Sequence, residues 1–123
     1  MSINWGFIGA GMVAGKALAP AVESARNANL YAVASRDKSK AAALTPEIAY
    51  DNYDALINDP KVDAVYISLP NNLHKPLAIK ALKAGKHVLC EKPLAMSYIE
   101  ACEMFDVATV SYTHLTLPTI YSV

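Results

Sequence analysis

The chain has 123 residues, 54% of them hydrophobic, and balances 11 basic side chains against 11 acidic ones. That length supports one core but is short for two full-sized domains, and the charge balance lacks the positive excess of a nucleic-acid-binding surface. No apolar run approaches the roughly 18 residues of a membrane span, and the N-terminus lacks the basic-then-apolar layout of a signal peptide, so no membrane and a cytoplasmic location are expected.

Ile3 to Ile8 is an apolar run of strand length that meets Gly9, Ala10 and Gly11, after which an alanine-rich helical pattern begins at Met12. Gly9, Gly11 and Ala14 hold the positions of a G-x-G-x-x-G/A turn. The first glycine lets the chain reverse, the second lets backbone approach a pyrophosphate, and the small third residue lets helix pack on strand. The helix start, at Met12 and Val13, offers unpaired N–H groups to the phosphates. On spacing alone, any tight strand-to-helix turn fits equally well.

The helix is predicted from about Met12 to Ala25, with Pro20 bending or shortening it. Leu30 to Ala34 reads as a parallel strand covered on both sides, ending in Ser35, Arg36 and Asp37. A short helix (about Lys38 to Leu44), a strand (Ile48 to Tyr50) and a helix (Tyr53 to Ile57) follow. Val62 to Leu69 is the next strand, Leu73 to Ala84 a helix closed by Gly85, and His87 to Cys90 a fifth strand. Ser97 and Glu100 then form a capping box for a last helix. Such alternation predicts an α/β fold with a doubly wound parallel sheet, in strand order 3-2-1-4-5. Ligands in that fold sit beyond the carboxyl ends of the strands. Gly9 to Gly11, Ser35 and Arg36, Leu69 to Asn72, and Glu91 to Pro93 should therefore share one edge.

A dinucleotide fold that prefers NAD usually places an acid at the end of the second strand, against the ribose 2′-hydroxyl. Here Ser35 and Arg36 hold that place, a hydroxyl and a planar guanidinium suited to a 2′-phosphate. NADP(H) is the preferred cofactor on this reading, with NAD(H) possible. A second reading makes Arg36 a solvated charge and gives the acid's place to Asp37. Lys38 and Lys40 add positive potential or are merely solvated. Cys90 and Cys102 have no CxxC spacing and no paired histidines nearby, so both are expected as reduced thiols with no metal site.

Two stretches are more specific than the glycine turn: LPNNLH (Leu69 to His74) and GKHVLCEKPL (Gly85 to Leu94). With GFIGAGMVAG and ASRD, they closely resemble the N-terminal nucleotide-binding domain of the glucose-fructose oxidoreductase and inositol dehydrogenase (Gfo/Idh/MocA) family, over residues 3 to about 108. Within that family the sequence looks most like the NADP-dependent dihydrodiol and D-xylose dehydrogenase branch. The resemblance implies that Pro70 and Asn71 border the cofactor and that His74 helps shape the pocket. It also implies that Glu91 hydrogen-bonds a ribose hydroxyl and that Lys92 reaches the nicotinamide ribose and the substrate hydroxyl as the catalytic residue. A cation beside that oxygen would stabilise the developing alkoxide as hydride departs. The base that takes the proton, an Asp or His in the family, comes from a second domain. His74 as a helix-entry residue, His87 as an edge side chain and Lys92 as a surface lysine are the bland alternatives. Tyr53, Tyr66 and the methionines read as core, and sequence leaves open whether Pro93 follows a cis bond.

The last stretch breaks from what precedes it, because every Asp, Glu, Lys and Arg lies before Val110. VSYTHLTLPT resembles a translated transposon-end sequencing adapter; a natural C-terminal strand is the alternative. The expected division is a nucleotide-binding domain over 1–108 and a non-native tail over 109–123. The sheet would then stop after about five strands, leaving an open edge, and the family's second domain would be missing. The parent enzyme is expected to be a homo-oligomer acting on a sugar, polyol or related alcohol. The chain alone is expected to be inactive, with a stand-alone nucleotide-sensing module as the alternative.

Overall fold

The structure, a computed structural model, describes residues 2–11 and 14–117, so Met1, Met12, Val13 and residues 118–123 lie outside the described residues. Strand β1 (Ile3–Ile8) sits inside the sheet because its C-terminal half, Gly6 to Ile8, is buried. It pairs in parallel with β2 (Ala28–Ala34) on one side and β4 (Ala64–Ile67) on the other. β3 (Ile48–Tyr50) extends the sheet beyond β2, and β5 (His87–Cys90) extends it beyond β4. The predicted order 3-2-1-4-5 is therefore present, with all pairs parallel.

Helices cover both faces, and the alternation of strand side chains decides which core each residue joins. Phe7, Leu30, Val33 and Tyr66 pack with Ala14, in the turn ahead of α1 (Ala19–Ser24), with Ala19 and Val22 of α1, and with Ala41 of α2 (Lys38–Ala42). Ile8, Ala32, Ala34, Val65 and Ile67 pack on the opposite face. Their partners there come from α3 (Tyr53–Ile57), α4 (His74–Lys83) and α5 (Tyr98–Val110). The register of β1 on β2 slips between Trp5 and Gly6, whose partners are Leu30 and Ala32. Tyr31 is the extra residue of this bulge, which lets Tyr31 and Ala32 join the same core.

Local chemistry explains the element ends. The predicted first helix is interrupted: a π-helical turn, Ala14–Leu18, precedes α1, and Pro20 stands in the first turn of α1. Proline has no N–H to donate into the preceding turn, so the regular hydrogen-bond ladder has to restart there. Asp37 caps α2 by accepting from the Ser39 N–H at 3.0 Å, and Asn52 caps α3 by accepting from the Ala55 N–H at 3.1 Å. A 3₁₀ turn, Asn71–Leu73, leads into α4, and Gly85 at φ +83° ends it. Ser97 caps α5, accepting from the Glu100 N–H at 3.2 Å. The return bond of the predicted capping box is shifted by one residue, since Glu100 accepts from the Met96 N–H at 3.2 Å.

The sheet extends one strand beyond the expected five. α5 runs unbroken across Thr109 to Val110, and β6 (Leu115–Thr116) pairs in parallel with Val88 and Leu89. The sheet thus has six strands, with the far edge of β5 covered. The physical reason is local: the Val88 N–H donates to the His114 carbonyl at 2.8 Å, and the buried Leu115 adds apolar cover.

Candidate functional site

The rim formed by the carboxyl ends of the strands is built first from the glycine turn. Gly9 lies at φ +99°, and a Cβ there would fall 2.5 Å from the Ser68 carbonyl oxygen, so only glycine fits beside β4. Gly11 differs, because a Cβ on it would meet nothing within 4 Å. No described side chain occupies the space next to Gly11, which leaves room for a group from outside the chain. Ala14, the third small residue, is fully buried against the sheet.

Gly9, Ala10 and Gly11 line a cleft of about 290 Å³ together with Ser35, Arg36, Asp37, Lys40, Tyr53, Ser68 and Leu69. The turn and the end of β2 therefore meet, as the sequence predicted. Asp37 is committed to its cap: its Oδ1 accepts from the Ser39 N–H and from the Ser39 hydroxyl at 2.6 Å, and these bonds hold its carboxyl below the usual range. Arg36 is exposed and makes no ion pair with a described residue. Lys40 adds a second positive charge to the cleft, and Lys38 does not line it. A larger groove of about 440 Å³ lies between α3 and α4, lined by Asp54, Ile57, Asn58, Lys80, Lys83 and Ala84, and includes none of the predicted site residues.

The other predicted residues occupy the same edge, further along it. Pro70 and Asn71 are exposed in the turn after β4, and Leu73 N–H donates to the Pro70 carbonyl at 2.9 Å. Glu91 and Lys92 follow β5, whose Cys90 is paired with Ile67 of β4. Backbone fixes Glu91 first, through a 3.0 Å bond from its N–H to the Ile67 carbonyl. Tyr66 fixes its side chain, donating its phenolic hydroxyl to Glu91 Oε2. Burial and this carboxylate push the Tyr66 phenol well up from its ordinary value, so the phenol stays a donor. Lys92 is exposed, and the Lys92–Pro93 bond is cis. Pro70, Asn71, Glu91 and Lys92 share this rim without lining the Arg36 cleft.

His74 is fully buried and does not reach the cleft surface. Its Nε2 lies 2.7 Å from the Leu69 carbonyl oxygen and its Nδ1 lies 2.8 Å from that of Pro93. His87 stands on the β6 side of β5, 3.2 Å from His114 between Nδ1 atoms and away from the rim. Met12 and Val13 lie outside the described residues. Sequence reading missed Tyr53 and Ser68 as cleft residues and took Tyr66 as core alone. A tyrosine in β4 whose hydroxyl meets a glutamate after β5 carries no periodic signal separating the two roles.

Residues 3–116 match the model of the oxidoreductase family with an NAD-binding Rossmann fold. The chain is 42% identical over 106 residues to D-xylose 1-dehydrogenase (NADP(+)) 2 of Haloferax volcanii, covering 83% of this chain and 32% of that protein. It is 34% identical over 110 residues to mouse trans-1,2-dihydrobenzene-1,2-diol dehydrogenase, covering 85% and 33%. Among solved structures, KijD10, a 3-ketoreductase from Actinomadura kijaniata in complex with NADP, superposes with a TM-score of 0.91 at 36% identity, over 95% of this chain and 38% of that one. The chain thus spans about a third of the length of these curated relatives. Matched by the family model from β1 to β6, the chain belongs to the oxidoreductase family with the NAD-binding Rossmann fold.

Proposed function

We propose that this chain is the nucleotide-binding part of an oxidoreductase that moves hydride between NADP(H) and a sugar, polyol or related alcohol, or the corresponding ketone. The observation that carries the reading is the cleft in which the Gly9–Gly11 turn, Ser35 and Arg36, which has no ion pair among the described residues, meet. The residues present suit a phosphorylated dinucleotide: the space at Gly11 admits a pyrophosphate, and Arg36 with Lys40 suits a 2′-phosphate. Asp37, the alternative acid for a 2′-hydroxyl, has one oxygen engaged in its cap. The NADP named for the haloarchaeal relative and for the KijD10 structure agrees with this preference.

Pro70 and Asn71 would border the bound nucleotide, and Glu91, held by Tyr66, would accept from a ribose hydroxyl. The nucleotide supplies or accepts hydride. Lys92, exposed at the same rim, would place its ammonium beside the substrate oxygen and stabilise negative charge there. Proton removal from that oxygen requires a base within hydrogen-bond reach. We assign that base to a part of the parent enzyme outside this sequence, so binding without turnover is expected of the chain alone.

Titration of the chain with NADPH and NADH, followed by an assay with sugar and polyol substrates, tests the reading. Tighter binding of NADPH supports it, and absence of binding to either nucleotide overturns it. Arg36→Asp should lower NADPH affinity by about tenfold to a hundredfold, the loss of a charge-assisted phosphate contact, while sparing NADH. An unchanged preference would show that Arg36 does not read the phosphate.

A further inference from the structure

The glutamate–lysine loop after β5 is gripped from both faces of the sheet. On the α1/α2 face, Tyr66 donates to the Glu91 carboxylate. Behind the loop, where α4 begins, the buried His74 ring faces two backbone carbonyls, Leu69 at 2.7 Å and Pro93 at 2.8 Å. Leu69 follows β4 and Pro93 follows β5, so one imidazole spans the exits of two neighbouring strands.

The chemistry of those partners is one-sided. A carbonyl oxygen can only accept, so each contact is a hydrogen bond only if the facing nitrogen carries a proton. We propose that His74 is a positioning residue whose buried ring, lodged between these two carbonyls, holds the Lys92 loop against the exit of β4. The inference rests on Lys92 and Glu91 serving the nucleotide and substrate as proposed above. It gives His74 no contact with either ligand. Its work is to fix the backbone one residue beyond Lys92, and a small displacement of a charged group at a reacting centre is costly.

The test uses the whole chain labelled with ¹⁵N at histidine, with the His74 signal assigned by its loss in His74→Phe. A His74 ring N–H protected from solvent exchange is expected, and exchange as fast as that of an exposed histidine overturns the proposal. The second measurement is NADPH affinity in His74→Phe, which keeps the ring-sized volume and removes both ring nitrogens. A loss of about tenfold with a cooperative melt is expected. Unchanged affinity overturns the positioning role even if the ring N–H is protected. Should His74→Phe not fold, His74→Asn, which retains one donor group, takes its place for the assignment and is expected to lose less affinity than tenfold. Failure of the unsubstituted chain to bind NADPH overturns the functional reading instead, and protection of the ring N–H still decides whether His74 is held between the two loops.

Discussion

At the scale of single residues, the two glycines of the turn separate folding from ligand space. Gly9→Ala places a Cβ on the Ser68 carbonyl in a left-handed backbone, and should cost about 1–3 kcal/mol in denaturant unfolding. Gly11→Ala meets no described atom within 4 Å, so its stability should change by less than about 1 kcal/mol while nucleotide affinity falls. Equal effects of both on stability would remove the case for an open cradle at Gly11. Cys90 offers a second contrast. Burial, then the neighbouring Glu91 charge, push its thiol up to about 12. In the native chain at pH 8, Cys90 should resist a thiol reagent that labels the partly exposed Cys102. Labelling of both at equal rates would show that Cys90 is not held inside the sheet.

Elements were legible in the sequence to the extent that their signals were local. Strands β1 and β5 and the turn at Gly85 have their predicted bounds, because the largely buried ends of the strands, Phe7 and Ile8 in one and Val88 to Cys90 in the other, form apolar runs. β6 had no such signal: it is two residues long and owes its place to the unpaired edge of β5. The tyrosine and histidine behind the site loop were hidden for a related reason. Tyr66 and His74 are fully buried, as core residues are, and only the third dimension shows their polar atoms meeting Glu91, Leu69 and Pro93. The cap of α5 was readable from Ser97, and Ser97→Ala should lower stability by roughly 0.5–2 kcal/mol. An unchanged denaturation midpoint would mean that this helix is held by its packing alone.

For the molecule as a whole, polar groups below the rim knit the sheet to its loops. Lys86 is buried and donates to the Asp59 and Val62 carbonyls at 2.8 and 2.7 Å. Burial lowers its ammonium, opposed by the charges of Asp59 and Asp63. Tyr50 donates to Asp59 Oδ2 at 2.8 Å, and that bond together with burial pushes its phenol up to about 12. A group whose folded value is raised contributes stability that is complete below its unfolded value and is lost as pH rises through the folded one. Tyr50 should therefore make the chain lose stability between about pH 10 and 12. The same melt series in Tyr50→Phe should show a shallower decline, and identical slopes would place the alkaline transition elsewhere.

The pairing of β1 with β4 has a consequence for how the protein comes into being. Ser68, whose carbonyl crowds Gly9, is 59 positions further along the chain, so the loop that greets the nucleotide leaves the ribosome long before its opposite wall does. During synthesis a nascent chain ending ahead of β4 would display the glycine motif without a cleft. Nucleotide capture by truncated nascent chains would then begin only once that late wall has emerged, which makes it a reporter of long-range closure.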